Sequence, residues 1–182
     1  EKSVAPGKYT STETVPAGWE LTDISCDDGN STGDTATGIA TFNVEAGETV
    51  KCTFTNTKDA EVRIVKEATP KGEQLFDFAL GGSDWGAASL QLKDNGGDDN
   101  FAAYTFSAGE FGEKSITETV PSDWNLTSAS CAGTTETSVT NGVEIDVVAG
   151  DEIVCTFTNV KGASLTIVKS TNPGDSGADT FG

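Results

Sequence analysis

Cys155-Thr156-Phe157-Thr158-Asn159 alternates, with Cys155, Phe157 and Asn159 on one face of an extended chain and Thr156 and Thr158 on the other. Period two marks a β-strand with one buried side. The same alternation runs through Val62, Ile64 and Lys66, through Phe76 and Phe78, through Leu90 and Leu92, and through Val143, Ile145 and Val147. These runs are short, rich in Thr, Val, Ile and Phe, and separated by clusters of Gly, Asp, Asn and Pro. No stretch sustains a helical period. The pattern predicts an all-β chain of antiparallel β-sandwiches, with about seven strands per hundred residues. Asp94 to Asn100 reads as a solvated turn or loop.

The stretch is also half of a duplication. Cys52-Thr53-Phe54-Thr55-Asn56 precedes it by 103 residues, and Ile64-Val65-Lys66 returns as Ile167-Val168-Lys169 at the same spacing. Thr12-Glu13-Thr14-Val15-Pro16 returns as Thr117-Glu118-Thr119-Val120-Pro121, and Trp19, Leu21-Thr22 and Cys26 return as Trp124, Leu126-Thr127 and Cys131, all 105 residues on. Matched blocks in one order mean tandem repeats. The expected organisation is the C-terminal part of a β-sandwich repeat over 1–58, a complete repeat over 60–161, and the opening strand region of a further repeat over 162–182. Glu1 then reads as an interior point of a longer precursor. The connections at Lys58-Asp59-Ala60 and Lys161-Gly162-Ala163 are short, so neighbouring repeats should be stiffly coupled.

Composition narrows the function. Twenty-nine acidic residues against 11 basic ones give a net charge of -18. Such a surface repels nucleic acid and anionic membranes. No apolar run is long enough to insert in a bilayer. Histidine is absent, which removes the commonest general base and metal ligand. No cofactor, no metal site and no enzymatic activity are expected.

The four cysteines form two equivalent pairs, and the repeat selects Cys26 with Cys52 and Cys131 with Cys155. Each bridge would stabilise by roughly 3 kcal/mol. Zinc is the rival reading, but there is no C-x-x-C and no histidine. Disulfides imply an oxidising, extracellular compartment.

Alternation also puts three polar residues where apolar ones belong. Lys66 shares a face with Val62 and Ile64, Glu118 with Ile116 and Val120, and Asn159 with Cys155 and Phe157. A lone buried charge costs several kcal/mol, so such groups should meet. A desolvated lysine loses its proton more readily and becomes a nucleophile. A protonated carboxyl beside it can polarise an amide and move protons. Attack of Lys66 on the Asn159 side chain would release ammonia and leave an amide crosslink. In the competing arrangement Lys66 snorkels to the end of the sandwich and Asn159 caps a turn. Lys114, which shares the face of Glu118, offers that carboxyl a second cation.

These residues carry a family resemblance. Val62-Arg63-Ile64-Val65-Lys66, Gly72 with Phe76-Asp77-Phe78, Ile116-Thr117-Glu118-Thr119-Val120-Pro121 with Trp124, and Phe157-Thr158-Asn159 resemble the Cna protein B-type, or prealbumin-like (SpaA-type), repeats of bacterial surface adhesins and pilins. The resemblance implies an immunoglobulin-like, prealbumin-like sandwich. It also implies a spontaneous isopeptide bond between Lys66 and Asn159, assisted by Glu118. Glu13, Asn56 and Lys169 would be members of incomplete sets of the same kind, and Lys169 of one chain could join Asn56 of another by strand addition.

Trp19 and Trp124 recur with the repeat and read as core or turn packing rather than a sugar-stacking platform. The function expected is that of an extracellular cell-surface structural protein: a stalk, adhesin shaft or filament subunit held by disulfides and an isopeptide. Its partners would be neighbouring repeats and other copies of the same chain. The alternative is a carbohydrate- or ligand-binding surface module of the same fold, which would require a concave site with clustered aromatics.

Overall fold

The computed structural model describes residues 2–169. Among them there is no α-helix. The first group of strands is β1 (Gly7–Thr12), β2 (Trp19–Cys26), β3 (Thr32–Asp34), β4 (Ile39–Val44) and β5 (Cys52–Lys58). The second is β6 (Ala60–Thr69), β7 (Phe76–Gly81), β8 (Ser89–Leu92), β9 (Phe101–Phe106), β10 (Gly112–Thr119), β11 (Trp124–Ala132), β12 (Glu136–Val139), β13 (Gly142–Val147) and β14 (Glu152–Lys161).

The second group forms two sheets, ordered β11-β14-β6-β9 and β12-β13-β10-β7-β8. They enclose one core, in which Val62, Ile64, Phe76, Phe78, Phe106, Ile116, Val143, Val147 and Phe157 are all fully buried. Phe78 and Phe157 meet edge to face across the sandwich at 5.0 Å, and Phe76 meets Trp124 likewise at 5.2 Å. Such pairs add to the energy of burial itself. Nine strands stand where the sequence pattern predicts about seven. The edges of the five-stranded sheet are β8 and β12, each four residues long. β8 carries the Leu90–Leu92 alternation, with Leu92 buried, whereas β12 has no buried residue and so scarcely any alternation to read.

The feature that builds the site is the pairing of β14 with β6, which is parallel. A parallel pair requires a long crossover, and here the intervening seven strands provide it. The register sets Cys155 against Ile64 and Phe157 against Lys66. The first and last strands of this sandwich are therefore central neighbours.

The first group has fewer strands. β2 pairs only with β5, and β1, β4 and β3 form a three-stranded sheet. Their small core is Leu21, Ile24 and Ala40, with Val15, Phe42, Cys52 and Phe54 partly buried against it. Where β5 leads into β6, Asp59 N–H donates to the Gly18 carbonyl at 3.0 Å and Gly150 N–H to the Lys58 carbonyl at 3.1 Å.

The loop expected to be solvated departs from that reading at Asp94, which is buried. Its carboxylate accepts from Ala68 N–H at 3.0 Å and from Lys71 Nζ at 2.9 Å, so it fastens the end of β6. Burial opposes ionisation of this carboxyl, yet those two donors hold its pKa below the ordinary aspartate range. Residues 162–169 join no sheet, and Leu165, Ile167 and Val168 are more than four-fifths exposed. The rest of the expected opening strand region, 170–182, lies outside the described residues.

Candidate functional site

Lys66, Glu118 and Asn159 come from three strands, β6, β10 and β14, and all three are buried. Each faces inward for the reason its sequence gives: the residues two before it on its strand, Ile64, Ile116 and Phe157, are core residues. Lys66 Nζ donates to Asn159 Oδ1 at 2.6 Å, to the Phe157 carbonyl at 2.9 Å and to the Glu67 carbonyl at 2.8 Å. All three ammonium protons thus have acceptors. Asn159 Nδ2 donates to Glu118 Oε1 at 2.5 Å. Glu118 Oε2 lies 3.8 Å from Lys66 Nζ and has no hydrogen-bond partner among the described residues. The Phe76 ring closes the other side of the amine, 4.3 Å from its centroid to Nζ.

Electrostatics follow from this dryness. Burial pulls the Lys66 pKa down to about 8, against the attraction of Glu118, Asp94 and Glu67. Burial pushes Glu118 up, against the opposing pull of Lys66 and the hydrogen bond from Asn159. Both shifts favour a neutral amine beside a neutral acid. The carboxamide lies between them, with its oxygen on the amine and its nitrogen on the acid.

The snorkelling alternative does not describe this geometry, since Lys66 is 0% exposed. Nor does Lys114 take Glu118. Its side chain is buried, but Nζ donates to the Glu110 carbonyl at 2.8 Å and sits 4.9 Å from the centre of the Phe106 ring. Alternation places Lys114 on the inner face; it does not reveal that the Glu110 turn meets its amine. The roles of Phe76, over the amine, and Asp94, behind β6, are not legible in the sequence either. Phe76 is visible there only as a core residue, and Asp94 lies in a stretch whose composition is that of a surface loop.

Both disulfides join directly opposite residues of antiparallel pairs. Cys26 and Cys52 link β2 to β5, and Cys131 and Cys155 link β11 to β14. In the first group, Asn56 Nδ2 donates to Glu13 Oε1 at 2.7 Å, as Asn159 does to Glu118. Glu13 Oε2 and Asn56 Oδ1 are buried atoms with no hydrogen-bond partner among the described residues. Trp19 is 43% exposed, whereas Trp124 is packed on Phe76.

The chain belongs to the prealbumin-like fold domain family, whose profile matches residues 2–58 and 62–161. Two solved structures are similar to it. One is a point mutant of the major pilin of Streptococcus pyogenes, at 12% identity, with 89% of this chain and 73% of that one covered and a TM-score of 0.30. The other is the major pilin T-13 of Streptococcus pyogenes, at 16% identity, covering 87% and 69%, with a TM-score of 0.33. No curated protein matches the sequence. No helix among the described residues is long and apolar enough to cross a membrane.

Proposed function

We propose that this protein is a structural component of an extracellular surface, built of tandem prealbumin-like repeats: the C-terminal part of one over 1–58, a complete one over 60–161 and the opening strand region of a further one over 162–182. Each complete repeat is locked by a disulfide and by a self-formed Lys–Asn isopeptide bond. The observation that carries the reading is the 2.6 Å contact between Lys66 Nζ and Asn159 Oδ1, with Glu118 on the amide nitrogen. The uncharged Lys66 amine attacks Asn159 Cγ, a C–N bond forms, and the Cγ–Nδ2 bond breaks. Glu118 passes a proton to the departing nitrogen, which leaves as ammonia, and recovers one from the attacking amine. A neutral amide replaces a buried charge pair whose desolvation is expensive.

The mechanical consequence supports a stalk, adhesin shaft or filament subunit rather than a catalyst. A bond between β6 and β14 joins the two ends of the sandwich, so tension applied at its termini passes through a covalent link. Intact mass of the reduced protein tests the reading. One ammonia is expected to be missing from the 60–161 repeat, and Lys66→Ala should restore it. A mass equal to the unmodified sequence would sink the crosslink.

A further inference from the structure

The part of β6 that carries the amine has β14 on one edge and a buried carboxylate on the other. β9 accompanies β6 only from Ala60 to Val65, where Val65 stands opposite Phe101. Beyond that point β14 continues alongside as far as Thr69, and the segment 93–100 takes over from β9. Asp94 is the centre of that replacement. Its carboxylate accepts from Ala68 N–H at 3.0 Å and from Lys71 Nζ at 2.9 Å, and its carbonyl accepts from Gly72 N–H at 2.7 Å. Only 2% of its side chain is exposed. A buried carboxylate is expensive unless its oxygens are bonded, and here each has a donor. Lys93 Nζ and Asn95 Nδ2 reach Glu73 at 2.6 and 3.0 Å, but Glu73 is largely exposed and such surface contacts contribute little. The buried grip on β6 is that of Asp94.

Ala68 stands directly opposite Asn159 in the parallel register, as Lys66 stands opposite Phe157. Whatever fixes Ala68 therefore fixes the target amide relative to the amine. We infer, on the crosslinking reading of Lys66 and Asn159, that Asp94 is a positioning residue for the crosslink: through Ala68 N–H it pins the end of β6 so that the Asn159 carboxamide stays level with the Lys66 amine. The acceptors of Lys66 Nζ are Asn159, Phe157 and Glu67, so Asp94 acts through the strand and takes no proton from the amine. Without its carboxylate, Ala68 N–H loses its acceptor in a buried place, and the end of β6 has to turn toward another. Misplacement by ~1 Å costs reactions of this kind about 10²-fold.

The charge of Asp94 gives the role a second signature. Burial lowers the Lys66 pKa to about 8, and the groups that oppose it are Glu118 on β10, Asp94 in this segment and Glu67 on β6 itself. β7 presents the Phe76 ring to the amine, β14 presents the neutral Asn159, and the cation on Asp94 is Lys71. Removing the Asp94 charge takes one attraction from the ammonium, so the amine gives up its proton at lower pH.

The test compares Asp94→Asn, Asp94→Ala and Lys71→Ala in the full chain, recovered unfolded before the bond has formed and then folded at a series of pH values. Time-resolved intact mass follows the ammonia loss, and near-UV circular dichroism follows folding. Asparagine keeps an amide oxygen for Ala68 N–H without the charge; alanine removes both; Lys71→Ala removes an exposed cation and leaves the Ala68 bond. Asp94→Ala is expected to fold and to crosslink on the order of 10²-fold more slowly. Asp94→Asn should recover most of the rate with its alkaline limb below that of wild type, and Lys71→Ala should slow the reaction far less than Asp94→Ala. A folded Asp94→Ala that reacts at the wild-type rate would overturn the inference and leave the crosslinking reading intact. So would a Lys71→Ala as slow as Asp94→Ala, or an Asp94→Asn with an unmoved alkaline limb, the measurement that decides if Asp94→Ala does not fold. No ammonia loss in the wild-type chain would bring down both.

Discussion

Phe157 lies directly opposite Lys66 in the parallel pair of β6 and β14, and its carbonyl accepts a hydrogen bond from the lysine's own Nζ at 2.9 Å. The amine is thus held by the backbone of the strand that carries its target, two residues from Asn159. Orientation of this kind replaces a bimolecular encounter with an intramolecular one, an advantage equivalent to about 10⁵–10⁸ M in well-aligned systems. An unactivated carboxamide, ordinarily inert to amines, gains most from such placement.

Glu118→Gln separates shape from proton transfer. Glutamine fits the space and can still face Asn159, but it cannot pass a proton to the departing nitrogen. The expected protein is folded and carries its full complement of ammonia at this site. The bond spans 93 residues of sequence, and closing a loop of that order is worth about 4–5 kcal/mol by the chain-entropy argument. Chemical denaturation should therefore place the variant several kcal/mol below wild type. A Glu118→Gln protein with wild-type mass would remove the acid from the mechanism.

The rate of bond formation should depend on pH in a bell. The reactive pair holds one proton between Lys66 and Glu118. Lowering the pH protonates both, which removes the nucleophile, and the raised Glu118 pKa puts this limb above the ordinary glutamate range. Raising the pH strips both, which removes the acid, and that limb falls near pH 8, where Lys66 titrates. The two limbs belong to the pair rather than to either residue. Time-resolved mass spectrometry of protein recovered unfolded before the bond has formed, then folded at a series of pH values, gives the profile. A rate that climbs without a maximum through the alkaline range would contradict it.

The inward facing of Lys66, Glu118 and Asn159 is legible in the sequence because a strand's parity is rigid: once Ile64, Ile116 and Phe157 are core, the residue two further on must face the same way. The partners of each group are less accessible. That Lys66 and Asn159 are adjacent depends on a parallel pairing between segments at opposite ends of the repeat, which alternation alone does not specify; the family resemblance supplies it. Lys114 has the same parity as Glu118, yet bonds a carbonyl in the Glu110 turn. Asp94 lies in a run of Asp, Asn and Gly whose composition describes a surface loop, and only the fold turns its carboxylate inward beneath Ala68. The short edge strand β12 has no buried residue and leaves no pattern, whereas β8 is legible in Leu90 and Leu92.

Removing the disulfide should weaken the fold without touching the crosslink. Cys131 and Cys155 are opposite residues of β11 and β14, closing a loop of 24 residues. Replacing both by alanine is expected to cost roughly 3 kcal/mol, read as a lower urea midpoint. The sulfur pair sits four residues before Asn159, on the far side of Phe157 from the amide, so the ammonia should still be lost. An alanine double variant that keeps its ammonia would mean that the disulfide positions β14 for the reaction.

Phe76 tests whether dryness is what activates the amine. Its ring is fully buried, packs on Trp124 and lies 4.3 Å from Lys66 Nζ. Phe76→Ala should cost about 3–5 kcal/mol through the cavity it leaves, and that cavity lies against the amine. Water entering there would relieve the desolvation that holds Lys66 near 8, and the pKa would move back toward 10.5. The high-pH limb of the rate profile should then shift upward, and the rate at neutral pH should fall because fewer pairs hold an uncharged amine. Phe76→Leu fills most of the space with apolar atoms and should leave the limb near 8 while losing less stability. If both variants lose stability as expected but share the wild-type pH profile, desolvation by this ring is not what makes Lys66 reactive.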